Sequence, residues 1–433
     1  MAAVTPVKKA CDACHRRKVR CSGEQPCQNC GQSNLQCTYF AIPQKKGPKG
    51  SRAKVISEIR DGQHPPAPLV SPKRQLKHEI SNPFDFNAAP ATPSYQETPG
   101  LLSQQTLDIC ITFFFEHLYP TIPLFDRQRL ETLASTRDNG HSEIYCLVAS
   151  LCAFVLVQPG MTIVVSGMMG DDYEGETPQS RYGYARALID DLLRVRKDID
   201  YVEHPTLHSV QTSFFLFSCY FSLEKQNSCW FHLREAATVA QILGMHEEAT
   251  YSSGDPIENA YRRRTYWLVL LTERAYAMER HKPLTLYATI ALPTSDGSDT
   301  EILNGFLHLI NLFRCIEDDF MALWNKVKSE CSIAWLANLQ QQLLDALPHD
   351  LQTTKHQAAD IRITQQWLRV IVWQLSIMNN QLSSTSPNAA MTFKYPIQIA
   401  KDLLADLASM DVPSMEVHGV GLVGVASHVE ALG

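Results

Sequence analysis

Six cysteines near the amino terminus constrain the fold of this chain more than any other feature. They follow the pattern C-x2-C-x6-C-x5-C-x2-C-x6-C within a chain of 433 residues. A C-x2-C pair lets two thiolates chelate one metal ion. Two tetrahedral zinc sites need eight ligand positions, which six thiolates fill only when two of them bridge both ions. The pattern therefore predicts a small module held by two Zn²⁺ ions, with these ligands: Cys11, Cys14, Cys21, Cys27, Cys30 and Cys37.

Other uses of these cysteines fit the sequence less well. His15 would complete a site for a single metal ion, but the doubled spacing already accounts for all six sulfurs. Disulfides are typical of oxidising compartments, and the total of 13 cysteines is odd. The first ten residues lack the apolar run of a signal peptide. We therefore expect an intracellular protein whose thiols are reduced.

The longest apolar stretch of the chain is too short to span a membrane. It covers residues 144–157, 14 positions interrupted only by Ser150. A spanning helix needs about 20 apolar residues. This segment is therefore predicted to be a buried helix of a globular core, and no contact with a membrane is expected.

Positive charge is concentrated at the cysteine-rich end. Residues 1–60 carry 12 Lys+Arg against 3 Asp+Glu, whereas the other 373 residues carry 27 against 42. Within the module, Arg16, Arg17, Lys18 and Arg20 lie between the second and third cysteines. The matching segment between the fifth and sixth cysteines has no charge. Because arginine and lysine contact phosphates and guanine acceptors, the first half is predicted to bind double-stranded DNA.

The segment from Cys11 to Cys37 resembles the fungal binuclear zinc-cluster (Zn2Cys6) DNA-binding domain. It matches all six cysteines and the pattern Cys-Asp-x-Cys…Arg-Lys-x-Arg-Cys…Pro-Cys-x-x-Cys. The resemblance implies that Cys11 and Cys27 bridge the two zinc ions. It also implies that Lys18, with Arg17 beside it, reads bases in a CGG-like half-site. His15 stands where a basic residue is commoner in the family. This departure affects one expected phosphate contact and leaves the expected fold unchanged.

Residues 41–104 are predicted to form a mostly disordered linker, because they contain 10 of the 24 prolines and few large apolar clusters. A short segment, Ala53 to Asp61, has the pattern of two helical turns. A second basic cluster fits additional phosphate contacts, a nuclear-import signal or merely a solvated linker. Its members are Lys45, Lys46, Lys49, Arg52 and Lys54.

The sequence leaves open whether the protein is a monomer or a homodimer. Many members of the zinc-cluster family carry a coiled coil after the linker. Val55, Ile56 and Ile59 offer less than two heptads here, below the three or four that indicate a coiled coil.

Residues 105–433 are predicted to form an all-α domain, because helical periodicity dominates and strand alternation is scarce. One predicted helix carries Trp230, Leu233, Ala237, Ala240 and Ile242 on one face and stops at Gly244. The other predicted helices run from Pro256 to Arg280 before Pro283, from Ile302 to Cys331, from Leu336 to Leu347 and from Lys401 to Met410.

Stretches at 113–125, 236–246, 262–267 and 280–284 are similar to the regulatory, or middle homology, region of fungal transcription factors, over about residues 108–295. The similarity implies an all-α domain that controls the activity of the protein. Whether this control uses a small-molecule effector is left open by the sequence. Arg262 to Arg264 are expected to pair with acidic neighbours such as Glu258. The other seven cysteines and the apolar face of Trp267, Leu268, Leu270 and Leu271 are expected in the core.

Taken together, the features predict a nuclear, sequence-specific transcription factor acting with RNA polymerase II, and not an enzyme. A cage in which six thiolates saturate both zinc ions has no open position for catalysis. We expect activation of metabolic genes. The short chain and abbreviated tail favour a secondary-metabolite gene cluster, with carbohydrate utilisation or repression as alternatives.

Overall fold

The computed structural model describes residues 10–39, 102–137, 142–161, 180–294, 299–328 and 330–408. The chain divides into two compact units, residues 1–94 and 95–433, and each is described by itself. Within these ranges the secondary structure is helical, with no β-strand. The predicted class, a small cysteine module followed by an all-α domain, is confirmed. The predicted linker features, including Ala53 to Asp61 and the second basic cluster, lie outside the described residues.

The first unit contains two short helices, α1 (Asp12–Arg17) and α2 (Gln28–Gln32). In the second unit the helices described are α3 (Gln104–Phe113, continued by a π-helical turn Phe114–Leu118), α4 (Arg127–Ser135), α5 (Ser142–Leu156), α6 (Arg181–Arg196), α7 (Leu207–Ser222), α8 (Gln226–Ile242), α9 (Pro256–Arg280), α10 (Thr300–Arg314), α11 (Asp318–Trp324), α12 (Ile333–Asp345), α13 (Lys355–Met378) and α14 (Tyr395–Ala408). Short 3-10 turns cover Glu248–Tyr251 and Ala389–Met391.

Helix α5 is the most completely buried helix of the amino-terminal part of the second unit. Every residue from Tyr145 to Leu156 is buried, because α5 packs against α3, α6 and α7. A helix that is apolar all round needs neighbours on all sides. The expectation of a buried core helix over this stretch is confirmed. Among the described helices, none combines the length and apolar character required to cross a bilayer.

Side-chain caps define where most of these helices begin. Ser103, Asp126, Ser180, Thr206 and Asp255 each accept a hydrogen bond from a backbone N–H of the first turn. Such caps satisfy amide groups that the helix itself leaves unpaired. Helix α9 has Pro256 in its first turn and ends at Arg280, as the sequence predicts.

The prediction of one long helix from Ile302 to Cys331 is wrong, because the segment forms two helices, α10 and α11. The buried guanidinium of Arg274 donates a hydrogen bond to the carbonyl of Ile316 and pairs with Asp318. This carbonyl therefore bonds to a side chain of α9 where the chain changes direction. Helical periodicity does not reveal this tertiary contact, which lies at the break between the two helices.

The face predicted for α8 is correct except at its end. Leu233, Ala237 and Ala240 are buried and Trp230 is half-buried, whereas 54% of Ile242 is exposed. Two residues correspond to about 200° around a helix, so Ile242 faces away from Ala240. Gly244 follows with φ of 67°, which suits its predicted role as a stop.

Two of the three arginines at 262–264 pair with carboxylates, as expected, but the partner is not Glu258. Arg263 instead pairs with Glu248 at 2.8 Å, and Arg264 forms a two-fold pair with Asp299 at 2.6 and 3.2 Å. Arg262 donates to the carbonyl of Leu243 at 3.2 Å. The partners come from other segments because α9 is packed into the domain at this point.

The core predictions for α9 and the cysteines hold in most positions. Trp267, Leu268, Leu270 and Leu271 are buried. Of the seven cysteines in the second unit, five are buried and two, Cys315 and Cys331, are half-buried. Helix α14 begins at Tyr395, six positions before the predicted start at Lys401.

Candidate metal centre and nucleic-acid interface

The first unit is built from two halves that repeat the same backbone plan 16 residues apart. The first cysteine of each half, Cys11 or Cys27, precedes a short helix in extended conformation. Its backbone N–H donates to the sulfur of the last cysteine of the same half. The distances are 3.4 Å from Cys11 to Cys21 and 3.3 Å from Cys27 to Cys37. The matched contacts show that the doubled sequence spacing produces a doubled local structure.

The turns after the two helices also correspond. Lys18 and Asn34, 16 positions apart, have left-handed backbone angles φ of 55° and 51°. In each half the next residue donates its N–H to the carbonyl of the second cysteine. These bonds are Val19 to Cys14 at 3.2 Å and Leu35 to Cys30 at 3.0 Å. Each helix therefore ends in the same turn, and Lys18 lies at the end of α1.

Four of the six sulfurs form one buried group. The Sγ distances are 3.7 Å for Cys11–Cys27, 3.6 Å for Cys11–Cys30 and 3.4 Å for Cys14–Cys27, and all four sulfurs lie within 4.8 Å of one another. A disulfide would bring two sulfurs to about 2 Å. Zn–S bonds of about 2.3 Å in a tetrahedron separate sulfurs by about 3.8 Å. The spacing therefore fits thiolates that share metal ions.

The connections within this group distinguish two of its members. Cys11 lies close to two sulfurs of the other half, and Cys27 likewise lies close to two sulfurs of the first half. Cys21 and Cys37 are outside the group of four but are buried in the same cluster of the unit. A sulfur near ligands of both metal positions is suited to bridge them.

The thiols of the group have unequal proton affinities. Burial raises the pKa of Cys30 to about 12. Burial also acts on Cys27, but the backbone N–H of Cys30 and the neighbouring thiols outweigh it and lower the pKa of Cys27 to about 6. Metal binding requires thiolates and therefore releases protons from such a site. Cys27 is the thiol whose surroundings already favour the anion.

The basic side chains of the first half lie mainly at the surface. Arg16, Lys18 and Arg20 are exposed, while Arg17 is half-buried. One guanidinium nitrogen of Arg17 is buried and has no hydrogen-bond partner. His15, Arg16 and Arg17 occupy the last turn of α1, where the helix dipole favours positive charge. The structure thus collects the predicted cations on and just after one short helix.

Two pairs of residues that the sequence did not suggest stabilise the unit, and the first pair joins the two ends of its described part. The N–H of Asp12 donates to the carbonyl of Thr38 at 2.7 Å, and the hydroxyl of Thr38 donates to the Asp12 carboxylate at 2.8 Å. The amide of Asn29 donates to the carbonyl of Arg20 at 2.6 Å. Asp12 belongs to the Cys-Asp-x-Cys pattern, but no local signal singled out Thr38 or Asn29.

These features define a thiolate metal centre with a basic helix beside it, followed by an all-α domain. Comparison with known families gives two matches. Residues 9–47 match the fungal Zn(2)-Cys(6) binuclear cluster domain, and residues 111–378 match the fungal specific transcription factor domain. The second match covers more than half of the chain, so this protein belongs to the fungal specific transcription factor family. Its first unit is a DNA-binding domain of the kind that binds two zinc ions.

Several curated proteins are similar over almost the whole chain. A maltose fermentation regulatory protein of Saccharomyces cerevisiae is 25% identical over 96% of this chain and 81% of its own. A probable sucrose utilization protein of Candida albicans is 26% identical over 96% of this chain and 77% of its own. An azaphilone cluster-specific transcription factor of Aspergillus niger is 28% identical, but over only 28% of this chain and 26% of its own.

Proposed function

We propose that this protein is a nuclear, sequence-specific DNA-binding regulator of genes for carbohydrate utilisation. The observation that carries the DNA-binding part is the doubled cysteine module with cations on only one half. The observation that favours carbohydrate genes is the extent of the similarity. Relatives named for maltose and sucrose align along nearly the whole chain, including the regulatory domain. The relative named for a metabolite cluster aligns over a much shorter part.

In this proposal the six cysteines hold both zinc ions, and Cys11 and Cys27 are the bridging ligands. The contacts of these two sulfurs with both halves support the bridging role. The zinc ions supply the order that a unit of this size cannot obtain from an apolar core. Six thiolates that saturate both ions leave no position for substrate, so the proposed role is binding and not catalysis.

The DNA-facing surface in this proposal consists of four side chains. Lys18 and Arg17 are assigned to bases, since Lys18 lies exposed at the end of α1. Arg16 and Arg20 are assigned to phosphates on either side. Guanine presents two acceptors in the major groove, which suits lysine and arginine, and a CGG-like triplet is the expected half-site.

The first experiment is selection of binding sites from random duplex DNA by the zinc-loaded chain at fixed, near-physiological salt. Enrichment of CGG-like triplets is expected. The number and spacing of the triplets distinguish a monomer, which selects one, from a homodimer, which selects two at a fixed distance. Enrichment of no sequence by a folded, zinc-loaded protein would contradict the proposal.

The two halves of the module provide a matched pair of variants. Lys18→Ala should weaken binding to the selected site by about 1–3 kcal/mol and relax base preference. Asn34→Ala changes the corresponding position of the uncharged half, so affinity should stay within about twofold. If both variants changed DNA affinity equally, the base-reading role proposed for Lys18 would be contradicted.

The pathway is tested by measuring transcripts in a strain that lacks the gene. The expected outcome is reduced expression of disaccharide transport and hydrolysis genes, with selected triplets in their promoters. Increased expression of the same genes would identify a repressor. A change confined to a group of adjacent biosynthetic genes would support the alternative, a secondary-metabolite cluster regulator.

A further inference from the structure

Helix α14 is fixed to the second unit by one face. Tyr395 and Ile399 are buried on this face. The guanidinium of Arg369 on α13 is shielded from solvent, because this residue is only 2% exposed. It donates to the Tyr395 hydroxyl at 3.0 Å and to the Asp402 carboxylate at 2.7 Å. Because both contacts lie on one side of α14, they fix its rotation about the helix axis.

The opposite face of α14 is also apolar, and its large side chains are exposed among the described residues. Phe393, just before the helix, is 57% exposed, Ile397 is 58% exposed and Leu404 is 66% exposed. Ala400, also exposed, lies between the last two. The spacings of 4, 3 and 4 residues from Phe393 to Leu404 form one continuous stripe. We refer to Phe393, Ile397, Ala400 and Leu404 as the outer stripe.

The two faces are opposed for a geometric reason. Tyr395 and Ile397, or Asp402 and Leu404, are two residues apart, which corresponds to about 200° around a helix. The contacts of Arg369 therefore direct the outer stripe away from α13. Helices that are apolar on both faces are usually covered on both sides. In the described part of this unit, α14 is covered on only one side.

The charge beside the outer stripe indicates what would cover it. Lys394 and Lys401 are exposed next to the stripe. The acidic residues of α14 lie elsewhere: Asp402 binds Arg369, and Asp406 accepts a hydrogen bond from Gln366 at 3.3 Å. Outside residues 1–60 the chain carries 42 Asp+Glu against 27 Lys+Arg. The outer face of α14, whose charged residues are two lysines, therefore differs from the acidic average of this part of the chain.

We propose that the outer stripe of α14 docks an amphipathic helix of a partner protein whose apolar face is flanked by carboxylates. From Phe393 to Leu404 the stripe extends about 16 Å, which matches three turns of a partner helix. A second copy of α14 would bring Lys394 and Lys401 against lysines in antiparallel pairing, where like charges oppose association. The charges therefore favour an acidic partner over self-association.

The test measures binding of a synthetic helix to the full, zinc-loaded chain by fluorescence anisotropy. The probe is a 15-residue peptide with leucines at heptad positions a and d and glutamates at the flanking positions. A second peptide has lysines in place of the glutamates. Ile397→Ser combined with Leu404→Ser should weaken binding of the glutamate peptide at least tenfold. The matched control is Val327→Ser, since Val327 is 83% exposed and does not belong to the outer stripe.

Charge reversal adds a readout that loss of folding cannot reproduce. Lys394→Glu combined with Lys401→Glu should transfer preference from the glutamate peptide to the lysine peptide, while the helical circular dichroism stays unchanged. All variants keep the basic first unit, so its non-specific attraction for the glutamate peptide is the same throughout.

Three results would overturn the proposal. The first is equal affinity of the wild type and the Ile397/Leu404 double variant for the glutamate peptide. The second is concentration-dependent self-association that the same double variant abolishes, which would assign the stripe to a second copy. The third is binding that appears only after removal of residues 412–433, which would assign the stripe to the chain itself.

Discussion

Replacement of Glu235 by glutamine should destabilise the helical domain more than any surface substitution. The Glu235 carboxylate on α8 accepts hydrogen bonds from Tyr201 at 2.7 Å, Ser213 at 3.0 Å and Arg196 at 3.0 Å, and it contacts Nδ1 of His232 at 2.9 Å. These partners come from α6, α7, α8 and the turn after α6. One carboxylate therefore joins three consecutive helices and the turn between the first two.

The magnitude follows from the burial of the charges. Arg196 is only 5% exposed, so the neutral glutamine leaves a buried guanidinium without its anion. Breaking a buried ion pair in this way typically costs about 3–5 kcal/mol. The pKa of Glu235 reflects the same contacts and is consistent with this magnitude. Burial raises it, but the bond to His232 and the charge of Arg196 outweigh burial and lower it from 4.5 to about 2. At 1.36 kcal/mol per tenfold change in proton affinity, this amounts to about 3 kcal/mol.

The assay is urea unfolding followed by helical circular dichroism at neutral pH. Glu235→Gln should reduce the free energy of unfolding by about 3 kcal/mol. The matched control is Glu131→Gln, which removes a carboxylate from an exposed ion pair with Arg127, where both side chains are about half exposed. That change should stay within about 0.5 kcal/mol. Equal effects of the two substitutions would refute the argument from burial.

The same carboxylate gives a pH dependence of known sign. Because its pKa is lower in the folded state, Glu235 stabilises the fold fully above about 4.5, and the contribution is lost as the pH falls towards 2. The difference in stability between wild type and Glu235→Gln should therefore shrink over this interval. A difference that stays constant from neutral pH to pH 3 would show that Glu235 does not act through its charge.

The remaining predictions concern the metal centre and one close contact. Cys27→Ser should reduce bound zinc below two ions per chain and abolish specific DNA binding, whereas Cys315→Ser should retain both; metal analysis and band-shift measurements check this. Gly305→Ala should destabilise the helical domain by about 1–3 kcal/mol, because a Cβ at this position would lie 2.4 Å from the amide of Gln357. Gly31→Ala, where a Cβ meets nothing within 4 Å, is the control, and urea unfolding compares the two. Unchanged zinc content in Cys27→Ser, or equal unfolding midpoints for the two glycine variants, would contradict these expectations.

Features encoded by neighbouring residues could be predicted from the sequence. The paired cysteines are close in the chain, so their meeting requires only short turns. Helix α9 is bounded by Pro256 and by the turn before Pro283, and Gly244 adopts the positive φ that its place after α8 suggests. In each case the physical cause lies within a few residues of its effect.

Partners of buried charges could not be predicted, because packing brings them from distant segments. The sequence suggests a nearby carboxylate such as Glu258 as the partner of Arg264, but the partner is Asp299 at 2.6 Å. At the break between α10 and α11 the carbonyl of Ile316 accepts a hydrogen bond from Arg274, more than 40 positions away. Helical periodicity records which face of a helix is apolar. It does not record which backbone carbonyl a buried arginine will reach.

The first unit separates the determinants of fold from those of recognition. Its halves share sulfur contacts, helix starts and the left-handed turns at Lys18 and Asn34, so the cage itself has no preferred face. The cations break this equivalence, since all four predicted DNA contacts lie in the first half. Ligand spacing therefore dictates a nearly two-fold structure, and charge selects the half that faces a polyanion. Because these two signals occupy different positions in the sequence, each can be altered without the other: Asn34→Lys should leave the zinc content at two ions while increasing non-specific, salt-sensitive DNA affinity.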